Sequence, residues 1–467
     1  MAAGIFAALV LLTGGASRGE VPQLALLYPG SILLLAFVAI RGGLANLGSL
    51  KIPALLLGGY MLWTLAQLIP LPHAIWSSLP QRAVIAEIDD LVGLGQVWRP
   101  ITFAPERTLS TFFGLFTPLA ALLIAATLPM ADRQRNLRRI LLLAIGANAI
   151  LALVHAVLGG DALHFYEISN DDRPVGFFAN VNHSVVLSAI GIVLCGMELA
   201  VAGGKSRRTQ GRSGAAFIAL ATGVSLLCFV HLLIGGSRQG LIVMLPALLA
   251  AFAVFLAGRD KEKRGSKGAY QRKVGSALDV ISRHRVAVLL ALPALMTGGF
   301  LLLGEIPALS RLYDESLADN VRWTLYSPLI EMVSSFWLLG SGMGSFEDVY
   351  YMFETSALLA PFYVNQAHND WLQIIIEGGV PAIALLACAL ILIGRRIFTV
   401  FRLGADGPAR TVAWMAIVVI LSFASLVDYP LRTPLFQTTV AWLFVMLDSA
   451  AFSRGARARD EVDEYAA

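Results

Sequence analysis

FIALATGVSLLCFVHLLIGGSRQGLIVMLPALLAAFAVFL, residues 217–256, decides the class of fold. Two apolar blocks, Phe217 to Ile234 and Leu241 to Leu256, are joined only by Gly235-Gly236-Ser237-Arg238-Gln239-Gly240, and Arg238 is the sole Lys, Arg, Asp or Glu in the stretch. Each block approaches the roughly 20 helical residues that cross a hydrocarbon layer of about 30 Å. No water reaches that layer, so a segment crossing it satisfies its backbone polar groups internally, as a helix does. One such block could be a buried helix of a soluble protein, but a series could not. Leu55 to Ile69, Phe112 to Leu128 and Ile140 to Leu158 repeat the pattern. The chain is 57% hydrophobic and 14% charged, against roughly 45–50% and 25% in soluble proteins. This is an all-α polytopic membrane protein.

Spans are expected near 2–15, 24–40, 53–70, 109–129, 140–158, 184–202, 215–234, 239–257, 286–304, 377–394, 411–427 and 434–450. Alternate connections then collect most of the 35 Lys and Arg, including every lysine and the basic loop 258–285. The positive-inside rule puts these connections, both termini and the tail 451–467 in the cytoplasm. The stretch 2–14 is short, lacks a basic leader and ends in Gly14-Gly15-Ala16-Ser17, so it reads either as a span or as a cleaved signal. The whole chain, 1–467, reads as one integral membrane domain, with a long outer loop region at 305–377. The basic loop fits a solvated segment beside anionic headgroups, and no nucleic-acid partner is expected.

The positive residues left on the outer side are Arg18, Arg82, Arg99, Arg107, Arg173, Arg238, Arg311, Arg322 and Arg432, without a lysine among them. Arginine presents a rigid fork of donors that matches phosphate or carboxylate oxygens in pairs. Arg238 is confined by its short hairpin to the outer membrane–water boundary, at the start of a helix. There the guanidinium and the unpaired amides of the first turn both favour an anion. Snorkelling to headgroups is the plainer alternative.

Two further outer segments stand out. NDDRPVGFFANVNH, Asn170 to His183, carries Arg173, Asn180 and Asn182 at the mouth of a span. The asparagines serve either as helix N-caps or as an anion- or sugar-facing rim. In 305–377, Arg322 precedes LLGSGMGSF (Leu338 to Phe346), an aromatic-rich stretch, and AHNDWLQ (Ala367 to Gln373). The glycines lack the dinucleotide-binding spacing and predict a tight turn with close backbone approach. His368 opens a helix expected to lie at the membrane surface and lead into the span 377–394. In the hairpin Asp428 to Pro434, Asp428 and Arg432 are expected to pair with each other. No metal-ligand spacing, phosphate loop or serine-nucleophile motif is present, so no metal or other cofactor is expected.

Taken together, RPVGFFANVNH (Arg173 to His183), GSRQG (Gly236 to Gly240), Arg322-Trp323, LLGSGMGSF and AHNDWLQ before EGGVP resemble the O-antigen ligase and polymerase superfamily. The likeness extends from about residue 100 and is densest from Arg173 to Glu377. It implies about twelve spans, a large helical periplasmic loop between the ninth and tenth, and a glycosyltransferase C-type fold. It also implies transfer of a glycan from an undecaprenyl diphosphate carrier to an acceptor: lipid A-core in ligases, another carrier-linked glycan in polymerases. Carried over position by position, the family's essential arginines fall on Arg238 and Arg322 and its essential histidine on His368. Arg173, Asn180, Asn182, Ser237 and Asn369 become candidates for binding diphosphate or glycan.

Such a reaction suits these residue types. Breaking an anomeric C–O bond to a diphosphate needs positive charge where the leaving group departs, and arginine supplies it at any relevant pH. The attacking hydroxyl needs its proton taken, which a neutral imidazole can do for roughly 10²–10⁴-fold in rate. From another class, a transporter of polysaccharide, lipid or small anion would place charged or unwound elements near the bilayer midplane. In this sequence polar residues gather instead at the outer boundary. The loop pattern leans towards a ligase over a polymerase.

Overall fold

The computed structural model describes residues 1–41, 47–159, 163–170, 173–203, 212–265, 317–358, 364–402 and 407–466. The expected span 286–304, most of the basic loop 258–285, Arg311 and the first part of 305–377 lie outside the described residues. Among those described, nine helices are long and apolar enough to cross a membrane, and they coincide with nine of the expected spans. Helices Ala2–Thr13 and Leu24–Ile40 are shorter apolar elements at two more of the expected positions. The protein is thus a polytopic all-α membrane protein, and strand among the described residues is confined to one short pair.

The chain divides into two compact units, one of residues 1–137, 316–396 and 425–467, the other of 138–315 and 397–424. In the first, helix Phe116–Ala126 is buried at every position from Thr117 to Ala126 except Leu119. A helix apolar on every side belongs in a core, and Leu24–Ile40 and Pro434–Ala466 pack against it. Trp442, buried, donates its indole N–H to the Ala121 carbonyl at 2.9 Å. Phe6 of Ala2–Thr13 meets Trp442 edge-on at 6.2 Å, and Leu435 N–H donates to the Gly14 carbonyl at 2.9 Å. That N-terminal helix, 12 residues long, extends only about 18 Å, so the block expected to span at 2–15 packs into the unit without the length to cross alone.

Between the apolar helices Gly48–Ala66 and Pro105–Ala126 lies structure that the hydropathy pattern does not announce. Pro70–Leu71 pairs antiparallel with Arg99–Pro100, and helices His73–Trp76 and Ala83–Leu91 are held between those short strands.

The second half of the long outer loop is organised by a break in helix Asp370–Arg402. Gly379 leaves helical geometry with φ 59° and ψ −159°. Pro381 follows, with no N–H to give and a ring that crowds the carbonyl of Glu377. The carbonyls released by the break are taken by other parts of this unit. Ser341 N–H donates to Ile376 O at 2.8 Å, Gly342 N–H to Glu377 O at 3.1 Å, and Trp63 Nε1–H to Gly378 O at 2.8 Å. In return Val380 N–H donates to Leu338 O at 3.1 Å. Gly340, at φ 78°, lies so near that a Cβ there would strike the Glu377 carbonyl. The tight turn and close approach expected of LLGSGMGSF therefore serve to seal this break, and the expected surface helix joins its span at Gly379.

In the second unit, helix Val181–Gly203 is the central element, packed on Arg212–Ile234 and Arg238–Gly265. Gly196 admits the neighbouring backbone, since a Cβ there would stand 2.7 Å from the Cα of Ala251. Small residues permit such approach where lipid offers no hydrophobic drive between helices. Arg138 and Glu198, both nearly fully buried, pair at 2.5 Å.

Candidate functional site

His368 occupies the turn before helix Asp370–Arg402 with φ 49°, a left-handed conformation that a non-glycine residue adopts at a cost of roughly 1–2 kcal/mol. The geometry on either side of it is overdetermined. Asn369 is the helix N-cap, its Oδ1 accepting from Leu372 N–H at 3.0 Å, and Ala367 N–H donates to Gln373 Oε1 at 3.0 Å. The imidazole meets the Tyr429 ring at 4.9 Å between centroids. Its Nδ1 lies 3.4 Å from Oδ1 of Asp428, which is fully buried and also accepts from Tyr429 N–H at 3.0 Å. The histidine side chain itself is 27% exposed. The buried carboxylate and the Tyr429 ring together flank the imidazole on its Nδ1 side.

Beneath it lies a second charged group. Arg432 reaches Glu377 Oε2 at 2.5 Å and Asp370 Oδ1 at 3.6 Å. Burial works against the charge on Arg432, but Glu377, Tyr60 and Asp370 outweigh it and hold the guanidinium above its ordinary pKa. Glu377 also accepts from Gln373 Nε2 at 3.0 Å and from Phe346 N–H at 3.3 Å. Asp370 Oδ2 takes Ser425 Oγ–H at 2.9 Å and Leu431 N–H at 3.2 Å. The pairing expected between Asp428 and Arg432 is therefore corrected: Arg432 is held by Glu377 and Asp370, while Asp428 stands against His368. Charge and spacing favour Asp428–Arg432 in the sequence, but the helix end at Asp370 arrives between them from a distant part of the chain.

Position 322 lies in helix Leu317–Phe336, one turn ahead of Leu325 and in register with Leu325, Leu329, Met332 and Phe336. Those four residues share a buried cluster with Ala367 and Ile376, which flank His368 and Glu377 in sequence. The side chain of Arg322 is outside the described residues.

In the second unit the two expected motifs meet. Ser237 donates to Asn182 Oδ1 at 2.7 Å and accepts from Gly240 N–H at 3.1 Å, which makes it the N-cap of helix Arg238–Gly265. Arg238 is the first residue of that helix and is partly exposed, as the hairpin predicts. Asn180 caps the next helix, accepting from Asn182 N–H at 2.9 Å, so the N-cap alternative holds for it. The loop after Arg173, itself partly exposed, is docked by His231, whose ring bridges Pro174 O and Ser188 Oγ at 2.9 Å each. Asn148 completes the dock, accepting from Phe177 N–H and donating to Ser184 Oγ, both at 2.9 Å.

Four of the outer arginines have partners that belong to the fold. Arg99 is bound to Asp89 at 2.5 Å, Arg107 to Glu347 at 3.0 Å and Asp348 at 2.8 Å, and Arg432 to its two carboxylates. Arg82, nearly fully buried, lies over the Phe103 ring and donates to the Ile101 carbonyl; burial and neighbouring Arg99 push its pKa down to about 9. These four are accounted for by the fold.

Gln67 donates to the Leu339 and Glu377 carbonyls at 3.0 and 2.9 Å and accepts from Met343 N–H at 2.9 Å, beside the helix break. The motifs mark neither Gln67 nor Asp428, Tyr429, Asn148 or His231 for these roles. A signal exists for Gln67, Asn148 and His231, each a polar residue in an otherwise apolar span and so expensive unless used. For Asp428 no sequence signal gives its distance to His368.

The family model described as O-antigen ligase matches residues 223–387. That region runs from within helix Arg212–Ile234 to the helix broken at Gly379, and includes Arg238, Arg322 and His368. A comparison with curated proteins finds no match to the chain.

Proposed function

We propose, from the premise that residues 223–387 form an O-antigen ligase family region, that this chain joins a lipid-linked glycan to an acceptor hydroxyl. The donor is a glycan on undecaprenyl diphosphate, the acceptor lipid A-core, and transfer takes place on the periplasmic face of the inner membrane. Transfer is inverting and independent of metal, on a glycosyltransferase C-type fold.

The observation that carries this reading is His368, held in a strained backbone conformation with Nδ1 facing buried Asp428. Strain of this kind persists only where surrounding structure enforces it, and it gathers at functional sites. In the proposed reaction the acceptor oxygen attacks the anomeric carbon as the bond from that carbon to the diphosphate oxygen breaks. The hydroxyl proton passes to Nε2 of His368, and Asp428 stabilises the imidazolium that results. The departing diphosphate is held by Arg238 and Arg322, with Arg173 at the rim. The charge pattern of the sequence assigns the connections bearing these residues to one side of the membrane. Asn180, Asn369 and Ser237 contribute through their caps, which fix the helix starts next to Asn182, His368 and Arg238. The side chain of Asn182 also remains a candidate for glycan contact.

A deletion strain tests the function. Loss of all long glycan from lipid A-core is the expected result. Single repeat units left attached to lipid A-core would instead indicate a polymerase. Glycan flux without transfer in proteoliposomes would overturn both.

A further inference from the structure

Helix Ala83–Leu91 presents an exposed apolar stripe, with exposed Glu87 and Asp90 on its flank. Asp89 and Arg82, on the face towards the protein, are 2% and 3% exposed. On the opposite face Val84, Ile88 and Leu91, spaced so as to form one stripe, are 65%, 51% and 80% exposed. Trp98, Ile75 and Val92 extend the exposed apolar surface of the same segment. In water such a stripe forgoes its burial, whereas the headgroup boundary admits Val84, Ile88 and Leu91 to lipid and leaves Glu87 and Asp90 at the polar level.

Three observations put this stripe at membrane height. The segment hangs between the apolar helices Gly48–Ala66 and Pro105–Ala126 on the short pair Pro70–Leu71 and Arg99–Pro100. Exposed apolar side chains run up to it along the chain through Leu62 and Ile69, and resume after it at Leu109 and Phe113. At the start of the helix Gln81 donates to Ser335 Oγ at 3.4 Å. Ser335 is about one turn from Leu338, whose carbonyl receives Val380 N–H where the apolar run of helix Asp370–Arg402 begins. Trp337 and Leu338, exposed at that junction, belong to the same level. Tryptophan concentrates at membrane–water interfaces.

We propose that Ala83–Leu91 lies in the headgroup–acyl boundary of the membrane, with Val84, Ile88 and Leu91 in lipid, as an interfacial anchor. The anchor is joined to the glycine-rich turn that seals the helix break: Phe103 N–H donates to Ser341 O at 2.9 Å, and Arg107 binds Glu347 and Asp348. Its depth in the lipid therefore sets the height of that turn, and of the helix bearing Asp370, above the bilayer.

The test uses the full chain in nanodiscs of bacterial phospholipid, with Cys388→Ser because Cys388 is exposed while Cys195 and Cys228 are buried. Nitroxide labels are placed singly at Val84→Cys, Ile88→Cys, Leu91→Cys and, as an aqueous reference, at the exposed Ala131→Cys in the basic connection with Arg133 and Arg135. Collision with oxygen relative to a water-soluble nickel chelate is expected to be several-fold higher at the three stripe positions than at Ala131→Cys. Nickel collision at the stripe as frequent as at Ala131→Cys would overturn the proposal, because the helix would then be in water. Shielding from both reagents would also overturn it, in favour of a protein covering the stripe. A photo-crosslinking residue at Ile88 gives a second reading: a phospholipid adduct supports the anchor, and a protein adduct opposes it.

Discussion

Asp428 places its carboxylate 3.4 Å from Nδ1 of His368, although the two residues come from opposite ends of different membrane helices. Asp428 follows the last turn of helix Gly407–Val427, and His368 precedes the first turn of helix Asp370–Arg402. In the proposed reaction this pair serves as the general base and the carboxylate that steadies it.

Replacing His368 by Ala is expected to abolish glycan transfer while leaving a monodisperse, folded protein. Asp428→Asn keeps the shape and the bond from Tyr429 N–H but removes the negative charge. It should lower kcat by roughly 10²–10⁴-fold, with KM nearly unchanged. In vitro transfer with purified donor and acceptor measures both. Full activity in His368→Ala would remove the base from the proposal.

Arg238→Lys separates a paired-donor role from a simple positive charge. Lysine cannot present two parallel donors to a phosphate, so activity should fall nearly as far as in Arg238→Ala. Donor-binding assays on the two variants, read beside transfer rates, check this. Restoration of wild-type rates by lysine would show that charge alone suffices.

Arg432 neutralises buried Glu377 next to the helix break. Arg432→Ala should destabilise the protein by about 3–5 kcal/mol, the usual consequence of leaving one partner of a buried pair. The double variant Arg432→Met with Glu377→Gln should recover much of that loss. Thermal unfolding in detergent distinguishes the two, and equal loss in both would mean that the carboxylate is not the source.

Gly340 and Gly58 make a controlled contrast. At Gly340 the backbone has φ 78° and an added Cβ meets the Glu377 carbonyl, so Gly340→Ala should cost about 1–3 kcal/mol. Gly58 is inside helix Lys51–Ala66 with nothing within 4 Å of the added Cβ. Gly58→Ala should be neutral or stabilise by about 0.5–1 kcal/mol. Unfolding midpoints of the two variants give the comparison directly.

The ion pair of Asp89 with Arg99 gives the segment around Ala83–Leu91 a defined pH response. Hydrogen bonding to Arg99 holds the Asp89 carboxyl below its ordinary value despite burial. A lowered folded-state pKa contributes stability above the unfolded value, near 3.9, and that stability is lost as pH falls through the folded one. Amide protection in 83–91, taken relative to the intrinsic exchange rate at each pH, should therefore fall only in acid below about pH 4, and Asp89→Asn should already be less protected at neutral pH with this acid step absent.

What the residues alone determined was the medium and the inventory. Long runs without charge require helices in lipid, because no other structure satisfies a backbone there. The resemblance of the chain's motifs to a known family made His368, Arg238 and Arg322 candidates. Asn180 was also legible as a residue at a helix start, since capping is a local property of a few successive positions, whereas the cap made by Ser237 was not read from the sequence. Partnership was not legible. Glu377, Asp370, Asp428, Arg432 and His368 offer several pairings of nearly equal merit by charge, and chain neighbourhood favours Asp428 with Arg432. Tertiary structure chose otherwise because the break at Gly379 tilts one helix end into the hairpin of another. A pairing between distant segments depends on where a broken helix points, and a linear pattern of residue types does not contain that direction.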